Sequence, residues 1–170
     1  MKQETIKNLL NKLAKTNDAL SLFPLRLAAG TILAAHGGQK LFGWFGGYGL
    51  AGTGGFFENE LGLAPGVFWA LNAGAAEFFG GLMILAGALT RIGAGLNVVT
   101  MAVAVLLVHR SAFFASEGGM EFPLLLLAAC VTLAIAGGGG ASVDRALAAR
   151  PASLEPAVKD AGKRLREQSA

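Results

Sequence analysis

From Gly66 to Leu89 the chain is apolar and carries a single charge, Glu77. A helix crossing bilayer hydrocarbon needs roughly 20 apolar residues, and this stretch exceeds that length. Thr90 and Arg91 close it, and a second apolar run, Ile92 to Val108, follows at once and ends in His109 and Arg110. So tight a turn makes the two runs an antiparallel pair. In lipid every backbone N–H and C=O must be satisfied within the segment, so each run is expected to be a helix.

Two further runs extend this pattern. Leu22 to Phe42 has Pro24 in its first turn, where proline suits a helix. Its interior is apolar apart from Arg26 and His36, and Gln39 and Lys40 mark its exit. A fourth run begins near Glu121 and passes through FPLLLLAACVTLAIA into Gly137 to Gly140. It reaches spanning length if those glycines are counted. The expected fold is therefore all-α: an integral membrane four-helix bundle over residues 22–143. Composition agrees. The 170 residues are 54% hydrophobic and only 15% charged, with mean hydropathy +0.55. Soluble domains carry about 25% charged residues.

The remaining charge lies at the ends. Residues 1–21 place Ile6, Leu9, Leu10 and Leu13 at helical spacing among Lys2, Lys7, Lys12 and Lys15. This reads as a basic amphipathic helix on the membrane surface. It is too long and charged for a signal-peptide start, so it is expected to be retained. Residues 144–170 read as a polar, weakly ordered tail with six basic side chains. Arg91 lies on the same side as both. Cytoplasmic loops collect Lys and Arg, so both termini are expected on the cytoplasmic side. Gly43 to Pro65 contains no Lys or Arg but has Glu58, Glu60, Trp44, Phe45 and Tyr48. It is expected to lie outside, fold back onto the bundle mouth and contain a short interfacial helix over Thr53 to Leu61.

Several function classes fall away. No basic face with interleaved aromatics serves nucleic acid. Cys130 is the sole cysteine, so thiol–disulfide exchange within the chain is excluded. The glycines at 52, 54 and 55 lack the following Gly-Lys-Ser/Thr of a phosphate loop.

Ionisable groups in hydrocarbon cost about 2.5–3.5 kcal/mol each on insertion scales, so they need partners or a wet cavity. The deep layer holds Arg26, Glu77 and Asn97. Ala73, Gly74, Gly80 and Gly81 flank Glu77 with small residues, which turns it toward a neighbouring helix. An Arg26–Glu77 ion pair is expected, serving either to fix which helices meet or to take part in chemistry. The outer layer holds His36, Gln39, Lys40, Asn72, His109, Arg110 and Glu121. His36 and Lys40 share a helix face, and histidine can pass protons near neutral pH. These residues read either as interfacial anchors or as a site. Two histidines on two helices are also the minimum for a haem between them, but no haem or metal motif accompanies them.

The segments RLAAGTILAAHGGQKLFG (Arg26–Gly43), GLAGTGGFFENELGL (Gly49–Leu63), AAEFFGGLMILAGALTR (Ala75–Arg91) and EFPLLLLAA (Glu121–Ala129), with His109 between them, resemble the DoxX family of bacterial membrane proteins. The resemblance spans roughly Leu22 to Asp144. It implies a four-helix membrane bundle associated with membrane redox chemistry. Relatives are described as subunits of a thiosulfate:quinone oxidoreductase or as membrane partners in thiol stress defence. The family pattern falls on Arg26, His36, Gln39, Lys40, Glu77, His109 and Glu121.

The leading expectation is a subunit of a quinone-linked membrane oxidoreductase. His36 and Lys40, with Gln39, would serve a quinone carbonyl. His109 and Glu121 would relay protons outward, Asn72 would join the cofactor contacts, and the Trp44–Tyr48 loop would cover the ring. Electrons would come from a soluble or membrane redox partner, since no flavin motif, metal motif or thiol pair is present. Two alternatives remain. A transporter or small-molecule and lipid binder would need a homo-oligomer for a wider pore. A scaffold would dock a soluble redox enzyme through its tail.

Overall fold

The computed structural model describes residues 4, 5 and 19–148. The leader helix expected over residues 1–21 and most of the tail lie outside them. Among the described residues, all regular structure is helical. Helix α1 is Leu22–Phe42 and α2 is Gly49–Asn59; α3 is Gly66–Ala86 and α4 is Thr90–Val103. Helix α5 is Glu121–Ala136 and α6 is Val143–Ala148. A 3₁₀ turn at Trp44–Gly46 follows α1, and another at Ala115–Glu117 precedes α5.

Local chemistry sets the helix ends. Gly43, at φ +72°, terminates α1 in the left-handed conformation that glycine adopts without a Cβ clash. Gly87, at φ +67°, does the same for α3, three residues short of the expected end at Leu89. Leu89 itself is left-handed, at φ +50°, and immediately precedes α4. Helix α4 continues directly into a π-helical turn, Ala104–Val108, and the His109 N–H donates to the Ala104 carbonyl at 2.9 Å. The interfacial helix begins a turn earlier than expected. It folds back onto the start of α3, with Thr53, Gly54 and Phe57 buried and the Gly66 N–H donating to Glu58 at 2.9 Å.

Glycines permit the close helix contacts. A Cβ on Gly30 would lie 2.7 Å from the Leu85 nitrogen, and one on Gly81 would lie 2.5 Å from the Ala34 nitrogen. Gly80 and Gly93 bring α3 and α4 together in the same way. The core between the helices comprises Ala29, Leu33, Ile84, Ala94, Met101, Leu126, Cys130 and Leu133. The polarity is inverted relative to a water-soluble protein. Arg26, Glu77 and Asn97 are buried, whereas Phe68, Phe79, Val99, Leu106, Leu125 and Ile135 face outward. An outer surface so rich in large apolar side chains suits lipid.

Two helices, Gly66–Ala86 and Thr90–Val108, have the length and apolarity to cross a membrane. Helix α1 matches in length but carries Arg26 and Lys40. The fourth run is shorter than expected. Gly137, at φ +82° and ψ −164°, ends α5 after 16 residues, so the glycines add no helix. At 1.5 Å per residue α5 spans about 24 Å, against roughly 30 Å of hydrocarbon.

The expected boundary between bundle and tail is also corrected, because Asp144 is buried. Its carboxylate accepts hydrogen bonds from the Leu89 N–H at 2.7 Å, the Thr90 N–H at 3.0 Å and the Thr90 hydroxyl at 2.9 Å. Its own N–H donates to the Gly87 carbonyl at 2.8 Å. Asp144 thus caps the amino end of α4 from a distant part of the chain.

Candidate functional site: an ion pair between two cavities

Helix α1 presents His36, Gln39 and Lys40 within one turn near its carboxyl end. Gly37 lies so close to α3 that a Cβ there would fall 2.3 Å from the Phe78 nitrogen, and one on Gly74 would fall 3.3 Å from Lys40 Cβ. That closeness brings the Lys40 ammonium 2.5 Å from the Glu77 carboxylate. The Glu77 side chain is 3% exposed and that of Lys40 25%. The lysine stem therefore runs along apolar surface and delivers its charge inward.

Two cavities meet at this pair. The smaller is about 260 Å³ and is lined by His36, Lys40, Glu77, His109, Phe122 and the loop residues Ala115, Gly118 and Gly119, among others. The larger is a lateral groove of about 920 Å³. Leu96, Val99 and Val103 of α4 form one wall, Trp69, Ala73 and Ala76 of α3 another, and Phe56 and Phe57 of α2 its upper edge. Its polar lining comprises Gln39, Lys40, Tyr48, Thr53, Asn72, Glu77, Thr100 and His109. Lys40, Glu77, Ala104 and His109 border both spaces.

His109 follows the π turn, and its Nδ1 lies 2.7 Å from the Gly118 carbonyl. A carbonyl only accepts, so Nδ1 carries a proton and donates it. In the neutral ring Nε2 then holds the lone pair. Asn72 donates through Nδ2 to the Phe68 carbonyl at 2.8 Å, which leaves its Oδ1 available to a ligand.

The structure separates the expected site residues into two groups. It brings His36, Gln39, Lys40, Asn72 and His109 to the cavities. Trp44 lies elsewhere, with its ring over Gly38 and 4.9 Å from that of Phe42 and 5.6 Å from that of Phe78. Glu121 accepts the Ala115 N–H at 2.6 Å, which pins the turn before α5, and it lines neither cavity. Tyr48, from the same loop as Trp44, does line the groove.

The expected Arg26–Glu77 pair does not form. Arg26 donates through Nε to the Ile84 carbonyl at 3.0 Å, through Nη1 to that of Gly138, and through Nη2 to that of Leu85 at 3.4 Å. The reason is register. In the antiparallel pairing of α1 with α3, Gly30 meets Gly81 and Leu85, while Gly37 meets Phe78. Arg26 therefore sits level with the end of α3, and Glu77 sits level with Lys40. The α4 face at Leu96, Val99, Val103 and Leu107 was not expected to belong to a site. Its helical spacing was visible, but an apolar face toward lipid has the same spacing.

The chamber between the histidines is smaller than the roughly 300–1,000 Å³ of small-molecule pockets, too small for a porphyrin. Among the described residues, no three His, Cys, Asp or Glu side chains converge to hold a metal ion. The groove does fall within the size range of a ligand site. Its largely apolar lining, with several polar side chains set in it, suits an amphiphile.

Apolar helices, an inverted core and a lateral groove define a helical membrane protein with a ligand-sized recess. The DoxX family profile matches residues 21–110, and the chain belongs to the DoxX family. No curated protein and no solved structure matches it.

Proposed function

We propose that this chain is the quinone-binding subunit of a membrane oxidoreductase. Its four long helices would all cross the bacterial inner membrane, with both termini in the cytoplasm. The observation that carries this reading is the groove of about 920 Å³, whose largely apolar lining also carries Gln39, Lys40, Asn72 and His109. An isoprenoid tail would lie along Leu96, Val99 and Trp69. Lys40 and the Gln39 amide are donors for a ring oxygen in its carbonyl form. His109 Nε2 and Asn72 Oδ1 are acceptors for the same oxygen as a hydroxyl. The chain binds and orients the ring and exchanges its protons, and a partner protein supplies or accepts the electrons.

The sidedness follows from where the charges lie. Ala19, Arg91 and Asp144 gather at one end of the bundle, where the Gly140 N–H donates to the Ala19 carbonyl. In the sequence, Ala19 lies near the end of the basic leader. Glu58, Glu60 and Glu117 lie toward the other, which would face outward.

The test is binding of a short-tailed benzoquinone and a naphthoquinone to the full chain in lipid nanodiscs. Saturable binding that Leu96→Trp and His109→Ala each weaken at least tenfold supports the reading. If neither ring binds, or if a simple fatty acid competes equally with both, the groove is a lipid site and the redox reading fails.

A further inference from the structure

We propose that the Lys40–Glu77 pair is a proton port, a titratable wall through which the lateral groove exchanges protons with water at the outer surface. The proposal rests on the groove being a ligand site, as argued above, but it does not depend on which ring the groove holds.

The geometry is that of two compartments with one shared partition. The groove opens sideways between exposed apolar residues: Phe56, Trp69, Leu96 and Val99 are each 40% exposed or more. A ligand there would sit largely against lipid, with Tyr48 alone of the named lining residues reaching the outer mouth of the groove. The smaller chamber opens elsewhere. Ala115 and Gly118 belong to its wall and lie exposed on the loop between α4 and α5. Its volume of about 260 Å³ accommodates roughly eight waters at about 30 Å³ each. Between the two spaces stand Lys40, Glu77 and His109, all able to hold or release a proton, with only Ala104 as an inert member of the wall. His36, one turn before Lys40, faces the chamber alone.

A purely structural ion pair has no need of a void on each side. Here Glu77 is almost fully buried, yet it borders both. The step moves protons only. As electrons from the partner protein reduce the ligand, a Lys40 N–H bond breaks and an O–H bond forms on the reduced oxygen. The Glu77 carboxylate then takes a proton from chamber water, directly or through His36, and passes it to the Lys40 amine. Ligand oxidation reverses each transfer.

The proximity of amine to carboxylate gives a direct test. A carbodiimide adds to the Glu77 carboxyl oxygen, the Lys40 amine displaces it as a urea, and an amide joins α1 to α3 with loss of one water. The full chain in nanodiscs is treated with an apolar carbodiimide, which enters through lipid, or with a cationic water-soluble one. Mass spectrometry of the linked peptides reads the product. Both reagents should form the Lys40–Glu77 amide, and Lys40→Arg should abolish it. Ala115→Trp, in the chamber wall, should slow the water-soluble reagent at least tenfold and leave the apolar one unchanged. Val99→Trp, in the groove wall, should do the opposite. Ala115→Leu and Leu96→Trp are the second variants, should either tryptophan disturb folding. Cross-linking by one reagent only, or equal effects of both wall substitutions on both reagents, overturns the port. Quinone binding measured on the same samples is a separate readout, so loss of the port and loss of the ligand reading are distinguishable.

Discussion

Asp144 grips Thr90 twice, through its backbone N–H and its hydroxyl, across 54 residues of sequence. A carboxylate placed on the free N–H groups at a helix start satisfies donors that would otherwise be buried unpaired. Asp144 and Arg26 together close one end of the bundle, since Arg26 binds the carbonyls at the end of α3 and after α5. Asp144→Ala should destabilise the protein by about 1–3 kcal/mol, the usual penalty for orphaned buried donors. Asp144→Asn should lose less, because its amide oxygen still accepts. Thermal melting of the detergent-solubilised variants measures both, and equal melting of Asp144→Ala and wild type would refute the cap.

Removing one member of the Lys40–Glu77 pair strands a buried charge. Lys40→Met should therefore lower stability by about 3–5 kcal/mol. Adding Glu77→Leu to it should recover most of that loss, because two apolar side chains replace the pair. A double-mutant cycle from denaturation midpoints reads the coupling. Additive single effects would show that the two groups do not interact.

The α1–α3 contact should tolerate no side chain at its centre. Gly30→Val and Gly81→Val each drive a side chain into the backbone of the opposite helix, so both should abolish a monodisperse peak in gel filtration. Gly95, in α4, has open space where a Cβ would go. Gly95→Ala should raise the melting temperature, since alanine gains about 1 kcal/mol over glycine within a helix.

Topology can be read with single cysteines after replacing the buried Cys130 by serine. Tyr48 and Phe114, exposed at the mouth of the bundle, should become reactive to an impermeant maleimide from outside intact cells when changed to cysteine. Cysteine in place of Val143 should react only in inverted vesicles. Labelling of all three from one side would mean that the chain does not cross the membrane as proposed.

Much of the fold was legible because the chain punctuates itself. Gly43 ends the first helix at Phe42, as expected, and Pro65 sets the start of the third at Gly66. The site was legible in part, through the two histidines and the polar residues beside them. What failed was register. Depth counted along each helix placed Lys40 at the surface and Arg26 near Glu77. The outcome was decided by the glycine contacts, which fix how α1 slides against α3, and by a lysine that bends inward. Asp144 escaped notice because an isolated acid among basic residues has the composition of a solvated tail. Only the fold shows that it reaches Thr90.

Winding the end of α4 one residue wide has a consequence for inheritance. An α-helix turns about 100° per residue, so one extra residue in an ordinary helix would swing whatever follows by about that angle. The wide turn at Ala104–Val108 takes up that residue instead, so the chain beyond it leaves in step with the helix before it. Loss of a single codon there would let the turn relax to ordinary geometry, with the packing around Ala94 and Met101 untouched and the imidazole still on its face. A lineage can thus gain or lose the wide turn by one in-frame insertion or deletion while its bundle still assembles.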